Sequence, residues 1–158
     1  MSFMSSVIDT FRECLDQLGF GYGGSAEGAT LHAEYCGEAG RFPIVIRVND
    51  DATLVFVEVI VPLMVPEGFR PRMAEAVVRA NDHLAVGCFE LNMSRGQLSF
   101  RATIPIDNAP VHRDQARSLV LHSLATADCY FPAFNRLLYG DDLSAAEVIA
   151  EVEMRVVQ

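Results

Sequence analysis

His83-Leu-Ala-Val-Gly-Cys-Phe-Glu-Leu-Asn-Met-Ser-Arg-Gly-Gln-Leu-Ser-Phe-Arg-Ala-Thr-Ile-Pro-Ile106 is the stretch on which the fold turns. Its apolar period is two. Phe89, Leu91 and Met93 alternate with Glu90, Asn92 and Ser94, and Leu98, Phe100, Ala102, Ile104 and Ile106 alternate with Ser99, Arg101 and Thr103. Ser94-Arg95-Gly96 separates the two runs, and a glycine there supplies the positive φ of a tight turn. The stretch therefore reads as an antiparallel hairpin with one buried and one wet face. The rest of the chain must cover that buried face or extend the sheet.

Working back from the hairpin, Arg70-Pro71 opens a helix with proline in its first turn. Its stripe is Met73, Val77, Ala80 and Leu84, and Gly87 ends it. Upstream lie three strands. Residues 29–36 alternate Leu31, Ala33 and Tyr35 with Thr30, His32, Glu34 and Cys36, and residues 42–49 place Phe42, Ile44, Ile46 and Val48 on one face. Residues 52–61 put Val55, Val57, Val59 and Val61 on one face and Leu54, Phe56 and Ile60, interrupted by Glu58, on the other. Asn49-Asp50-Asp51 is turn chemistry. A two-residue Asp50-Asp51 loop would set Ile46 opposite Val55 and Ile44 opposite Val57. The second face then gathers Val45, Leu54, Phe56, Glu58 and Ile60 beside Arg47. It is too apolar to be fully wet, so another element or a partner must cover it.

Before the strands, Val7, Ile8, Phe11, Leu15 and Leu18 recur at helical spacing over residues 6–18, with Ser6 and Asp9 spaced as a capping box and Gly19 as the stop. Gly19-Phe-Gly-Tyr-Gly-Gly24 matches G-x-G-x-x-G. A dinucleotide site needs a strand before that motif and a helix after it, and here the order is reversed, so a flexible connector is expected. After the hairpin, Asp107-Asn108-Ala-Pro110 reads as a turn and cap. A helical run over residues 111–139 follows, which Pro132 should kink or divide. Gly140-Asp141-Asp142 ends it. Ser144 and Glu147 cap a final helix striped by Val148, Ile149, Val152 and Val156. The order α-β-β-β-α-β-β-α plus a last helix defines an α+β fold, an antiparallel five-stranded sheet with helices mainly on one face. With 158 residues, no internal repeat and no low-complexity linker, one domain over 1–158 is expected.

Composition narrows function. A formal net charge of −9 argues against nucleic acid or an anionic membrane as partner. No stretch approaches the roughly 18 apolar residues of a span. The opening Met-Ser-Phe-Met-Ser-Ser lacks a basic signal-peptide region, so a cytoplasmic location is expected. All 12 basic residues are arginine, which removes lysine Schiff-base and P-loop chemistry. Cys14, Cys36, Cys88 and Cys129 form no C-x-x-C pair, and His32, His83, His112 and His122 have no metal-ligand spacing. Neither a metal nor a cofactor is expected. Ser123, His122 and Asp128 lack a nucleophile elbow, and Cys129 lacks an electropositive setting. Glu58, alone on an apolar strand, could hold its proton as a general acid, but an arginine partner or plain exposure is the simpler reading.

Three segments carry a family resemblance. Arg79-Ala-Asn81-Asp-His-Leu-Ala-Val-Gly87-Cys-Phe89-Glu is one, the strand ending Phe100-Arg-Ala-Thr-Ile-Pro105-Ile is the second, and Ala127-Asp-Cys-Tyr-Phe-Pro132-Ala-Phe134 through Gly140 is the third. Together, over roughly residues 7–155, the chain resembles the YbjN family, described as "putative bacterial sensory transduction regulators". The resemblance implies a fold like that of type III secretion chaperones, usually homodimers that bind protein segments in extended form, and it marks Asn81, Gly87, Phe89 and Pro132 as family-motif residues. The expectation is a non-enzymatic, chaperone-like or regulatory protein-binding module acting through the apolar sheet face and a homodimer. The alternative is a small-ligand or enzyme domain with a pocket between helices and sheet.

Overall fold

The computed structural model describes residues 3–24, 28–106, 109–140 and 142–156. In order they form α1 (Phe3–Gln17), β1 (Tyr22–Gly24), β2 (Thr30–Cys36), β3 (Arg41–Val48), β4 (Leu54–Met64), a 3-10 turn (Glu67–Phe69), α2 (Arg70–Asp82), β5 (Cys88–Leu91), β6 (Gln97–Pro105), α3 (Arg113–Tyr139) and α4 (Ala145–Val156). The sheet is antiparallel, in the order β1-β2-β3-β4-β6-β5. It has six strands rather than five. The sixth is Tyr22–Gly24, part of the glycine-rich segment read as a connector. Two of its three residues are glycine, so it has no apolar alternation to betray it; pairing with Ala33, His32 and Leu31 makes it a strand.

Alternation decides which face is covered. Leu31, Phe42, Ile44, Ile46, Val48, Val55, Val57, Val59, Val61, Leu98, Phe100 and Phe89 are buried on one face, under α1 and α3. Helix α2 packs on β5, and α4 packs on α2 and α3. Helix α1 begins earlier than its sequence pattern suggests, so Ser6 lies inside it and Asp9 pairs with Arg12 at 2.7 Å instead of capping. Gly19, at φ 74°, ends it: Phe20 N–H reaches the Leu15 carbonyl at 2.9 Å and Gly19 N–H the Asp16 carbonyl at 3.1 Å. Ser144 and Glu147 form the expected box on α4, Ser144 N–H donating to Glu147 Oε2 at 2.8 Å and Glu147 N–H to Ser144 Oγ at 3.2 Å. The bonds that the Ser144 N–H and, at 2.7 Å, the Ser144 hydroxyl donate to the Glu147 carboxylate hold that carboxyl below its ordinary range.

Three local expectations need correction. The β3–β4 register pairs Ile46 with Val57 and Ile44 with Val59. Asn49 lengthens the loop: its Oδ1 accepts from Thr53 N–H at 2.9 Å and Leu54 N–H at 2.8 Å, and Ala52 takes a φ of 53°. The slip is by two residues, so every side chain keeps its face. Met93 does not point inward. It is 51% exposed on a turn built by Asn92, whose Oδ1 accepts from Ser94 N–H at 3.0 Å and Arg95 N–H at 2.9 Å. Pro132 does not divide α3, which runs through it. The proline is exposed, and buried Ala133, Phe134, Leu137 and Leu138 beyond it continue the packed stripe. That burial outweighs the roughly 3 kcal/mol an interior proline costs. His112 caps α3 with Gln115, while Asp107, Asn108 and Asp141, read as turns, and the Val156 side chain lie outside the described residues.

Candidate functional site

The face of the sheet away from the helices is uncovered among the described residues. It is centred on β4, whose outward side chains Leu54, Phe56, Glu58 and Ile60 are all half-buried. Register fixes their neighbours. Phe56 lies between Arg47 on β3 and Thr103 on β6, and Glu58 lies between Val45 and Arg101. Two guanidinium groups approach the Phe56 ring, Arg47 at 5.0 Å and Arg101 at 5.7 Å from its centroid. Both distances are within cation–π reach of about 6 Å. Arg101 also forms an ion pair with Glu90 on β5. The expected residues Val45, Leu54, Phe56, Glu58 and Ile60 do meet on one surface. The hairpin's outward side adds Arg101 and Glu90, which the sequence pattern treats as ordinary polar positions.

The charge of this face differs from that of the molecule. Along β2–β6 its ionised side chains are Arg41, Arg47 and Arg101 against Glu34, Glu58 and Glu90, near neutrality on a chain of net charge −9. A second acidic molecule meets little net repulsion here. The two guanidinium groups lie over the Phe56 ring, so the surface is amphipathic rather than bare.

The motif residues gather elsewhere. Asn81 sits at the end of α2 and reads β5 as a neighbouring strand would: Phe89 N–H donates to Asn81 Oδ1 at 2.7 Å, and Asn81 Nδ2 donates to the Phe89 carbonyl at 3.0 Å. Gly87, at φ 75°, has no room for a side chain, since a Cβ would lie 2.5 Å from Phe100 Cζ and 2.9 Å from the Arg101 carbonyl oxygen. Phe89 is buried against Phe100, Phe134 and Tyr130. Pro132 stands apart on the exposed side of α3. Asn81, Gly87 and Phe89 thus form a structural knot on the helix-covered side, behind the sheet from Phe56. Asn81→Ala removes both partners of the Phe89 peptide groups. The expected cost is about 1–3 kcal/mol, with faster hydrogen exchange at the Phe89 amide; an unchanged amide would dissociate this pairing from the fold.

No reactive constellation emerges among the described residues. No group of His, Cys, Asp and Glu there could hold a metal ion. Burial and the neighbouring Asp128 push the Cys129 thiol up, opposite to what a nucleophile needs. Asp128 has a structural task, accepting Glu38 N–H at 2.8 Å and Ala39 N–H at 2.9 Å in the β2–β3 turn. No helix among them is long and apolar enough to cross a membrane.

The family model described as "Putative bacterial sensory transduction regulator" matches residues 8–136. The chain belongs to the YbjN family. No curated protein matches it. The solved structure titled as that of YbjN, "a putative transcription regulator from E. coli", is similar over 94% of this chain and 93% of its own, with a TM-score of 0.60 at 16% identity. At that identity the likeness speaks for the YbjN fold alone, and the α+β expectation agrees with it. The family is described as a regulator, not as an enzyme, and its match ends before α4 begins.

Proposed function

We propose that this YbjN-family chain is a non-enzymatic regulatory module, one chaperone-like domain that binds protein through the open sheet face and pairs as a homodimer in the bacterial cytoplasm. The observation that carries the reading is Phe56, held between Arg47 and Arg101 at the centre of a half-buried, near-neutral surface with no covering element among the described residues. Aromatic and arginine side chains are the residues that dominate binding energy at interfaces. The titles of its relatives, a sensory transduction regulator and a transcription regulator, suit a protein that works by contacting other proteins. The acidic surface favours that route over direct contact with nucleic acid.

Phe56→Asp tests this. It places a carboxylate at the centre of the face and leaves the core side of β4 intact. Self-association or partner capture should weaken by at least about 2 kcal/mol, roughly thirtyfold, as read by light scattering on a size-exclusion column and by pull-down. The melting temperature should stay within a few degrees of the parent. A variant that unfolds would make Phe56 part of the core, and one that associates like the parent would remove the face from function.

A further inference from the structure

A second concavity lies away from the sheet face, between α3, α4 and the connection from α2 to β5. Its volume is about 1080 Å³, at or just above the top of the range of about 300–1,000 Å³ typical of small-molecule sites. The hollow exists because small side chains line it: Ala85 on the connection, Ala125 on α3 and Ala150 on α4. Tyr130 and Thr126, both nearly buried, form its floor, and Met154, 63% exposed, is a flexible wall. His122 fixes the far side, its Nε2 lying 3.2 Å from the Val86 carbonyl oxygen.

One end of this apolar groove is electrostatically marked. His83 Nε2 lies 3.5 Å from Glu153 Oε1 and 3.7 Å from Asp82 Oδ2, so the imidazole sits between two carboxylates. Glu153 has only 29% of its side chain exposed, and among the described residues it is the one carboxylate lining the groove. A partly shielded carboxylate such as Glu153, at the edge of an apolar cleft, favours a cation. Three segments flank the groove, and its small alanine side chains offer no ladder of pockets for a long helix.

We infer that this groove binds a small amphipathic amine, with its hydrocarbon or aromatic body over Ala125, Ala150 and Tyr130 and its ammonium group at Glu153 beside His83. The α4 wall lies beyond the residues matched by the family model, whereas the walls from α3 and the α2–β5 connection lie within them. It shares no residue with the Phe56 face.

The test uses 4-phenylbutylamine, with 4-phenylbutanol and 4-phenylbutyrate as neutral and anionic counterparts of the same shape. At roughly 5 mM the amine should raise the melting temperature of the full chain by several degrees, the alcohol less and the carboxylate not at all. Ala125→Phe fills the groove from an exposed helix position and should abolish the shift while the unliganded melting temperature holds. Glu153→Gln should cut the preference for amine over alcohol about tenfold by titration calorimetry, with alcohol binding unchanged. The assignment is overturned by an amine shift that survives Ala125→Phe, by equal binding of amine and carboxylate, or by no shift with any of the three probes.

Discussion

Gly96→Ala should lower the stability of this protein by about 3–5 kcal/mol, more than any other single methyl group added to the hairpin. Two effects combine. Gly96 has a φ of 77°, a conformation that costs a side-chain-bearing residue on the order of 1–3 kcal/mol. A Cβ there would also fall well inside the contact shell of the Val65 carbonyl oxygen. That oxygen cannot retreat freely. It accepts from Arg70 Nε at 3.1 Å, and Val65 N–H donates to the Gly96 carbonyl at 2.9 Å. Arg70 in turn donates to the Met93 and Ser94 carbonyls at 3.0 and 3.2 Å. The end of β4, the β5–β6 turn and the start of α2 therefore meet at one glycine, and moving any of them breaks bonds in the others. Urea unfolding measures the loss, which corresponds to a fall in melting temperature of roughly 10 °C or more for a chain of this length. A midpoint within error of the parent would show that the turn relaxes around alanine and is not the junction described.

Phe89→Ala is the second large effect, at about 4–6 kcal/mol. The ring is 2% exposed. It contacts Phe134 at 5.0 Å, Phe100 at 5.1 Å and Tyr130 at 5.3 Å between centroids, mostly edge to face. Truncating a buried phenylalanine costs about 3–5 kcal/mol, and each well-oriented aromatic pair adds about 0.5–1.5 kcal/mol beyond area. The same ring joins β5 to both β6 and α3, so its loss loosens a short strand held otherwise by β6 and Asn81. Phe89→Leu should recover about half of the deficit by refilling volume without the ring geometry. Equal destabilisation by alanine and leucine would mean the aromatic contacts, not the volume, carry the effect; a deficit below about 1.5 kcal/mol for alanine would mean the cluster repacks.

Much of this architecture is legible in the sequence because period-two alternation in β3, β4 and β6 is strong enough to assign faces without knowing partners. Even the β3–β4 register error left the faces intact, since Asn49 shifted the pairing by an even number. What was not legible depends on pairing or packing at a distance. Tyr22-Gly23-Gly24 has almost no side-chain pattern, so only β2 reveals it as a strand. Pro132 obeys packing over local preference. For the open face, Phe56 could be seen as part of a second apolar face and Glu58 as the misfit on it. The part played by Arg101 could not, because β4 and β6 pair across α2 and β5. The groove at Glu153 is assembled from three separate segments, none of which carries a motif alone.

The amide of Asn81 has a consequence for how this protein behaves in a crowded solution. Strand β5 ends the sheet, and an outermost strand normally offers peptide groups on which foreign strands can template, the start of fibrillar aggregation. Here a side-chain amide already occupies the Phe89 peptide group, and α2 stands behind it. An incoming chain would have to dislodge a helix to extend the ladder at that end. Ladder growth is thereby blocked at the β5 end of the sheet.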